Sequence, residues 1–426
     1  MSRIIIEGGI PLKGRVRIQG SKNASLPIMA ACLLTQEAVE LEGVPDLEDV
    51  RTMSHLLKHL GVKLQHIRQK ERIKISKWSL QNYTAPHDYV HRMRASFLVT
   101  GPLLARFGRV KISLPGGCAI GNRPIDLHLK GLTALGAEFS MENGYIEAEA
   151  KKLQGTKIYL DYPSVGATEN IMMAATLAEG TTVLENAAAE PEIVDLANFL
   201  NALGARVSGA GTSLIRIEGV SSLHGTHHTI IPDRIEAGTF MIAAAISKGE
   251  IILENVLVEH LKSVIAKLQE AGVYVEEIFD GVLHVAMEDK PRPLDIKTLP
   301  YPGFPTDLQP QFMALLTLAN GTSVITETVF ENRFMHVEEL CRMGAQIRID
   351  GRNAIIKGVE SLRGAPVYAT DLRAGAALVL AATAAQGVTE IRVAHHIDRG
   401  YANFDQRLLK LGARLRRTER KVQVRT

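Results

Sequence analysis

The chain has 426 residues, of which 46% are hydrophobic and 5% aromatic, and its formal net charge is +3. That length supports two sizeable cores, while no run of about 18 apolar residues predicts a membrane span. Few aromatic residues and no Lys/Arg-rich run argue against nucleic acid as a partner. Three cysteines cannot build a disulfide framework and no signal peptide opens the chain, so we predict a cytoplasmic protein.

A helical, Ala/Leu-rich stretch followed by a short apolar strand recurs six times, for example in AATLAEGTTVLEN and AAAISKGEIILEN. Five of the six junctions carry Gly and the first carries Glu, at positions 37, 108, 180, 249, 321 and 387. A second helix follows each of these anchors and ends at a Gly, at 61, 136, 204, 272, 344 and 412. A period of about 70 residues predicts six copies of one α/β unit, each reading strand, helix, strand, helix and a two-strand ribbon.

Six copies can form either a continuous solenoid or two three-copy domains. Domain size favours two domains of about 200 residues each, divided near HHTIIPDR. The opening strands RIIIEGG and RVRIQG precede the first copy and resemble the ribbon that should follow the last helix. We therefore predict an N-terminal domain of residues 22–231 and a C-terminal domain of residues 1–21 plus 232–426, with the active site in the cleft between them.

Counting back 14 residues from each anchor reaches one equivalent position in every copy, the turn before the first helix. The six residues there are Asn23, Arg94, Gly166, Ile235, Asp307 and Arg373. Helix capping would explain Ser21, Thr306 and Thr370 and offers a structural role for Asp307. It does not explain Lys22, Arg94 and Arg373, because positive charge is disfavoured at a helix N-terminus. An anion shared between such cations and backbone N–H groups would explain them.

Copy two carries a longer loop between its anchor strand and its second helix, with the sequence LPGGCAIGNRPIDLHL. Cys118 lies near the middle of this loop, outside any apolar periodicity, and the nearby cation Arg123 would favour a reactive thiolate. A long loop with Gly hinges also suits a lid that closes over substrate. Cys32 and Cys341 lie in helical patterns and are predicted to be small buried hydrophobes.

Arg333 and Arg399 occupy corresponding positions, each 12 residues past its anchor. Either could instead form a surface salt bridge, with Glu331 or Asp398 respectively. Six basic side chains at helix starts and adjacent loops favour a polyanionic ligand. No metal-ligand spacing, P-loop or dinucleotide fingerprint occurs, so no metal, ATP or NAD is predicted.

Eight segments, in order along the chain, match a known family: SKNASLP, MRAS, LPGGCAIGNRPIDLHLKGLTALGA, SVGATENIMMAATLAEG, FPTDLQPQF, FENRFMHVEEL, TDLRAGAALVLAA and HIDRGY. They resemble the enolpyruvyl transferases, in particular those that act on UDP-N-acetylglucosamine. The resemblance implies an α/β fold of two domains with three βαβαββ units each, an inside-out α/β barrel. It also implies transfer of the enolpyruvyl group of phosphoenolpyruvate to the 3′-hydroxyl of UDP-N-acetylglucosamine with release of phosphate. This is the first committed step of peptidoglycan synthesis, and it implies no cofactor.

The same resemblance implies roles for individual residues. Asp307 acts as the base or orients the sugar hydroxyl, and Cys118 donates a proton to C3 of phosphoenolpyruvate and can form a covalent adduct with it. Lys22, Arg123 and Arg399 hold phosphoenolpyruvate, with Arg399 on the carboxylate side. The residues implied in binding the intermediate or the nucleotide sugar, or in the surrounding polar network, are Asn23, Arg94, Arg123, Pro124, Ile125, Asp126, Leu127, Ser164, Val165, Gly166, Val329, Phe330, Arg333, Asp371 and Arg373.

One departure and three alternatives accompany this interpretation. Tyr162 stands where some family members have Lys, so the diphosphate contact at that position stays open. Within the same fold, 5-enolpyruvylshikimate-3-phosphate synthase uses phosphoenolpyruvate without a loop cysteine, and Cys118 therefore disfavours it. The intact set of implied catalytic residues disfavours a catalytically silent paralogue that binds sugar nucleotide. Cations at helix starts disfavour a purely structural repeat scaffold.

Overall fold

A computed structural model describes residues 2–114 and 125–419, in which 24 β-strands and 13 α-helices form. The strands are β1 (Ser2–Glu7), β2 (Lys13–Arg17), β3 (Val39–Glu42), β4 (Leu64–Ile67), β5 (Arg72–Ile75), β6 (Thr84–Ala85), β7 (Arg109–Ser113), β8 (Glu138–Glu142), β9 (Tyr145–Glu149), β10 (Lys157–Tyr159), β11 (Thr181–Glu185), β12 (Arg206–Ser208), β13 (Leu214–Glu218), β14 (Thr226–Thr229), β15 (Glu250–Glu254), β16 (Tyr274–Phe279), β17 (Val282–Ala286), β18 (Asp295–Lys297), β19 (Thr322–Thr326), β20 (Gln346–Asp350), β21 (Asn353–Lys357), β22 (Pro366–Tyr368), β23 (Val388–Arg392) and β24 (Arg414–Glu419).

The helices alternate with these strands as the repeat pattern predicts. They are α1 (Lys22–Ala31), α2 (Glu48–His59), α3 (His87–Arg92), α4 (Thr100–Phe107), α5 (Asp126–Ala134), α6 (Val165–Ala175), α7 (Pro191–Ala202), α8 (Arg234–Ile246), α9 (Lys262–Glu270), α10 (Gln309–Leu316), α11 (His336–Arg342), α12 (Leu372–Ala384) and α13 (Phe404–Lys410). Among the described residues, no helix has both the length and the apolar character needed to cross a membrane.

The described chain folds into two compact units. The N-terminal unit comprises residues 20–114 and 125–231, and the C-terminal unit comprises residues 2–19 and 232–419. Each unit contains three four-stranded sheets and therefore three copies of the repeat. In every sheet the first two strands are parallel and the others antiparallel, as a βαβαββ unit requires.

The two opening strands join different sheets. The sequence pattern had predicted that both belong to the two-strand ribbon of the last copy. β1 lies between β23 and β24 and pairs antiparallel with both, so it completes the last copy. β2 instead pairs parallel with β15 and serves as the first strand of copy four. In the N-terminal unit β14 has the equivalent position, parallel to β3. The short connection between β1 and β2 could join these two strands only as an antiparallel hairpin. The first strand of a copy instead pairs parallel with the second, and β2 meets this requirement by pairing with the distant strand β15.

The first helix of each copy in the C-terminal unit is buried on all sides. α8, α10 and α12 pack against one another, and residues 235–246 of α8 and all eight residues of α10 are buried. A helix that is apolar all round belongs in a core rather than at a surface. Polar residues at the starts of these helices therefore stand out from their surroundings.

The glycine that ends each second helix has the predicted backbone role. At 61, 136, 204, 272, 344 and 412 the φ angles lie between 92° and 108°, a left-handed conformation that residues with a Cβ adopt at a cost. Of the two helical cysteines in the described chain, Cys32 is buried as predicted. The prediction for Cys341 is wrong, because it lies on the exposed face of α11.

Candidate active site

A carboxylate held by two guanidinium groups lies at the helix starts of copies five and six. Asp307 belongs to a 3₁₀ turn, Thr306–Leu308, before α10, and Arg373 lies in the first turn of α12. Arg333 Nη2 donates to Asp307 Oδ1 at 2.7 Å, and Arg373 Nη2 donates to Oδ2 at 2.9 Å. The contact between α10 and α12 thus joins two side chains that are 66 positions apart in the sequence.

The two arginines are buried, whereas the carboxylate is partly exposed. The Arg333 and Arg373 side chains are 4% and 2% exposed, against 25% for Asp307. Burial disfavours the Arg373 cation, but the adjacent carboxylate of Asp307 raises its pKa above the ordinary value, so it stays charged. Asp307 accepts hydrogen bonds on both carboxylate oxygens, so the two arginines fix the plane of the carboxylate. A partly exposed carboxylate held in this way can orient a substrate hydroxyl.

Glu327 is a buried carboxylate next to this cluster, and the repeat pattern gives no signal for it. It is 1% exposed. Its Oε1 accepts hydrogen bonds from Thr298 Oγ1 and Val329 N at 2.8 Å, and its Oε2 accepts from Thr306 Oγ1 at 2.8 Å. Thr306 Oγ1 accepts in turn from Arg333 Nη1 at 2.9 Å. Thr306 therefore connects two buried charges and is not the helix cap that its position predicted.

Val329 and Phe330 follow β19 and are half-buried. Their backbone N–H groups both donate to Glu327 Oε1, at 2.8 and 3.2 Å. The Arg333 guanidinium lies 5.3 Å from the centroid of the Phe330 ring. Glu327 thus fixes the segment that carries Val329 and Phe330, two of the residues that the family resemblance implies in the site. The alternative salt bridge from Arg333 to Glu331 is wrong, because Arg333 pairs with Asp307.

Asp371 caps α12, a role that the sequence assigned to Thr370. Its side chain accepts from the backbone N–H groups of Arg373 and Ala374 at 2.8 and 3.0 Å. An aspartate cap places negative charge at the positive end of the helix dipole. The cap also fixes the backbone from which the Arg373 side chain projects toward Asp307.

Tyr401, a buried and hydrogen-bonded phenol, lies next to the Arg373 guanidinium. The Tyr401 hydroxyl is 3.0 Å from both Thr239 Oγ1 and Gln311 Nε2. The Arg373 guanidinium lies 5.2 Å from the centroid of the Tyr401 ring. Burial raises the pKa of Tyr401, so the phenol stays neutral. The aromatic face and the carboxylate of Asp307 together fix the guanidinium.

Arg399 ends the 3₁₀ turn Ala394–Arg399 and is half-buried. The alternative salt bridge from Arg399 to Asp398 is wrong, because Asp398 accepts a hydrogen bond from Arg417 Nη1 at 2.7 Å. The assignment of Arg399 to phosphoenolpyruvate stays a prediction.

Lys22 begins α1 in the N-terminal unit and is paired there. Its Nζ lies 3.2 Å from Asp49 Oδ2, and both residues are buried. Ser21 caps the helix as predicted, with its Oγ accepting from Ala24 N at 3.3 Å. Asn23 is half-buried in the same first turn. Asp49 stabilises the charge that the helix dipole would otherwise disfavour.

The start of α6 lies against a buried histidine. Ser164 caps this helix, accepting from Ala167 N at 3.4 Å, and Val165 and Gly166 form its first turn. A Cβ added at Gly166 would lie 3.2 Å from His128 Cε1. Burial and then the charge of Arg94 lower the pKa of His128 to about 3.

These contacts bring two of the predicted nucleotide-sugar positions, Gly166 and Arg94, close to one ring. Ile125, Asp126 and Leu127 lie at the start of α5, immediately before His128. Cys118, Arg123 and Pro124 lie outside the described residues. Tyr162 is 42% exposed ahead of α6.

Glu169, on the buried face of α6, should make stability fall as the pH rises above the ordinary pKa of a glutamate. Burial, then Glu192 and Glu190, raise its pKa well above the ordinary value. The folded chain then holds a proton that the unfolded chain releases above about pH 4.3, so folding weakens as pH rises from there. We expect Glu169→Gln to raise the midpoint of thermal unfolding, and to raise it more at pH 8 than at pH 5.

The exposed Glu138→Gln, in the same unit, is the matched control and should show no such pH dependence. A Glu169→Gln gain that is equal at the two pH values would contradict the protonated state of the buried carboxyl.

Among residues 2–114 and 125–419, no group of three His, Cys, Asp or Glu side chains could hold a metal ion. Five residues that contact or support the predicted site residues were not identified from the sequence, namely Asp49, His128, Asn170, Glu327 and Tyr401. The one available signal was a polar side chain inside an otherwise apolar segment, as with Asn170 in ATENIMMAATL.

Comparisons with known proteins identify relatives over almost the whole chain. The profile of the EPSP synthase (3-phosphoshikimate 1-carboxyvinyltransferase) family matches residues 6–408. The chain is 61% identical to UDP-N-acetylglucosamine 1-carboxyvinyltransferase 2 of Carboxydothermus hydrogenoformans, over 98% of the chain and 99% of that protein. It is 59% identical to UDP-N-acetylglucosamine 1-carboxyvinyltransferase 1 of Caldanaerobacter subterraneus subsp. tengcongensis, again over 98% and 99%.

Solved structures share the fold. The enolpyruvyl transferase NikO from Streptomyces tendae superposes with a TM-score of 0.90 at 26% identity, covering 98% of the chain and 99% of that structure. EPSP synthase from Acinetobacter baumannii superposes with a TM-score of 0.76 at 19% identity, over 98% and 100%. The predicted two-domain fold of six βαβαββ repeats is thereby confirmed.

Proposed function

Since the chain belongs to the EPSP synthase (3-phosphoshikimate 1-carboxyvinyltransferase) family, we propose that it transfers the enolpyruvyl group of phosphoenolpyruvate to the 3′-hydroxyl of UDP-N-acetylglucosamine. The observation that carries this proposal is identity of 57–61% with relatives named for that reaction, over 98% of the chain. The reaction releases phosphate and is the first committed step of peptidoglycan synthesis. Both substrates are small molecules, and the chemistry needs no cofactor.

The reaction needs a carboxylate next to the sugar hydroxyl, and the C-terminal unit offers one. The sugar hydroxyl adds to C2 of phosphoenolpyruvate while C3 takes a proton; phosphate then leaves as C3 loses a proton. A carboxylate near the hydroxyl must orient it or accept its proton. In our proposal Asp307 has this role, since it is the partly exposed member of a cluster whose two arginines are buried. Fixed orientation favours attack by keeping the hydroxyl in one geometry.

Charge stabilisation is assigned to the cations. Lys22 and Arg399, with Arg123 outside the described residues, hold the phosphate and carboxylate of phosphoenolpyruvate, and Asn23 holds the intermediate. For Lys22 the support is its burial and its pairing with Asp49, which fix the ammonium at the start of α1. Preorganised cations stabilise the charge that develops on the departing phosphate without reorganising.

Cys118 has the remaining role in the proposal, as the proton donor to C3 and as the site of a covalent phosphoenolpyruvate adduct. Its support is sequence alone, because the residue lies outside the described part of the chain. We expect Cys118→Asp to retain turnover, since aspartic acid can also donate a proton. The variant should lose sensitivity to thiol-alkylating epoxides such as fosfomycin, because the nucleophilic sulfur is gone. Unchanged epoxide inhibition of the variant would remove Cys118 from this role.

The experiment that tests the function measures phosphate release from phosphoenolpyruvate with UDP-N-acetylglucosamine, with shikimate 3-phosphate, and with neither acceptor. We expect release only with the nucleotide sugar. Release with shikimate 3-phosphate would instead support the second candidate, which the name of the matching family suggests. No release with either acceptor, from protein shown to be folded, would favour a catalytically silent paralogue.

A cytoplasmic location is part of the proposal. Its support is that Cys32 and Cys341 are free thiols, as expected in a reducing compartment.

A further inference from the structure

The side-chain amide of Asn170 has one orientation that satisfies its neighbours. This fully buried residue lies on α6. Its Oδ1 accepts from Gly101 N at 2.7 Å, and its Nδ2 lies 3.2 Å from Phe97 O and 3.2 Å from His128 Nδ1. A flipped amide would bring Oδ1 against the Phe97 carbonyl oxygen and the amide NH₂ against the Gly101 N–H, and both contacts would be repulsive.

That orientation decides which nitrogen of His128 carries the proton. An amide NH₂ group can only donate, so His128 Nδ1 must accept, and the ring proton lies on Nε2. The ring is neutral because burial, and after it the positive charge of Arg94, lower its pKa to about 3. Phe97 contacts the ring edge-on, with 5.2 Å between centroids, which fixes its plane.

The protonated nitrogen faces the first turn of α6. A Cβ at Gly166 would lie 3.3 Å from His128 Nε2, so glycine leaves room for the ring at this point. His128 is 8% exposed, and within the described part of the chain Nε2 has no hydrogen-bond partner. The backbone N–H groups of a helix N-terminus attract anions, and Arg94 adds a positive charge nearby. A buried, oriented donor thus points at a place suited to an anion.

We propose that Asn170 is a positioning residue that holds His128 as a neutral Nε2–H donor to the diphosphate of the bound nucleotide sugar. The identity of the ligand rests on the proposed function, whereas the tautomer depends only on contacts within the N-terminal unit. A neutral donor contributes the same hydrogen bond across the physiological pH range. An ordinary histidine would gain and lose charge there.

The tautomer is tested without substrate, by nitrogen-15 NMR of the full chain labelled at histidine, with His128→Gln used to assign the signal. We expect Nε2 to be protonated, Nδ1 to be unprotonated, and neither signal to move between pH 5 and 8. A proton on Nδ1, or titration of the ring within this range, would overturn the positioning role of Asn170.

The ligand contact is tested by calorimetric titration with UDP and with uridine. A hydrogen bond to a charged group predicts that His128→Phe binds UDP about 10- to 100-fold more weakly, with uridine affected little. His128→Gln keeps a neutral N–H near the Nε2 position and should restore most of the affinity. The matched control is His227→Gln, at an exposed histidine on β14 of the same unit.

Two results of this titration would overturn different parts of the argument. Wild-type UDP affinity in His128→Phe would remove the ligand contact. A wild-type chain that binds no UDP but keeps the Nε2–H ring would overturn the proposed function and leave the positioning role of Asn170 intact.

Asn170→Asp supplies a readout that a merely structural role would not change. A carboxylate at this position still accepts from Gly101 N, but it favours a proton on His128 Nδ1 and raises the pKa of the ring. We expect UDP affinity to become pH-dependent between about pH 5 and 8, whereas in the wild-type chain the ring contributes no such dependence. A flat profile in a folded variant would contradict the proposal.

Discussion

Asp307→Ala is expected to lower turnover by about 10²- to 10⁴-fold, the usual contribution of a positioned acid–base group. The same change leaves Arg333 and Arg373 as adjacent buried cations without the carboxylate that now lies 2.7 and 2.9 Å from them. Buried charges that lose their partner destabilise a fold, so the thermal midpoint should also fall by roughly 5 °C. Phosphoenolpyruvate binding should remain detectable by calorimetry, because Lys22 belongs to the other unit.

Asp307→Asn separates these two effects. It keeps one carbonyl acceptor for the arginines and cannot accept a proton, so stability should recover partly while turnover stays low. Asp350→Ala, at an exposed position in the same unit, is the control for both measurements. Near wild-type turnover in folded Asp307→Ala would remove Asp307 from the chemistry and leave it as the structural partner of two arginines.

Glu327→Ala is expected to be the most destabilising change near the candidate site. It removes the acceptor of four hydrogen bonds, two from threonine hydroxyls and two from the backbone N–H groups of Val329 and Phe330. Each buried donor left unsatisfied costs about 1–3 kcal/mol. We expect the thermal midpoint to fall by about 5–10 °C.

The catalytic effect of the same change should appear in the KM for the nucleotide sugar more than in kcat. The reason is that Glu327 fixes the segment carrying Val329 and Phe330 rather than touching the reacting atoms. Glu327→Gln keeps an acceptor for the two backbone N–H groups. Its thermal midpoint and its KM for the nucleotide sugar should therefore lie between those of the wild-type chain and those of Glu327→Ala. Glu360→Ala, which removes a carboxylate with 91% exposure, is the control. An unchanged KM in a folded Glu327→Ala would show that the segment needs no such anchor.

The pair of Asp307 and Arg373 illustrates how far repeat counting reaches. Both residues lie 14 positions before their anchors, so the sequence assigns them to equivalent places in copies five and six. Equivalent repeat positions do not predict that the two side chains contact each other, because the contact depends on α10 packing against α12. Arg333 also donates to Asp307, and the repeat position that Arg333 shares with Arg399 does not predict this contact.

Three assignments of individual residues were wrong. Thr306 and Thr370 have residue types that favour capping, yet the Thr306 hydroxyl bonds Glu327 and Asp371 caps α12. Cys341 lies in a helical pattern, but α11 is seven residues long and turns this side chain outward. For Thr306, a capping preference of about a kcal/mol yields to a tertiary partner.

The sequence alone determined the six-fold repeat, the βαβαββ order within it and the glycines that end the second helices. These follow from the spacing of apolar residues and from backbone conformations that few residues adopt, both of which act over a single turn or strand. The tertiary structure decided where β1 and β2 pair, which carboxylate each buried cation contacts and which nitrogen of His128 is protonated. Such outcomes depend on distances of about 3 Å between side chains far apart in the chain, and no local pattern encodes those distances.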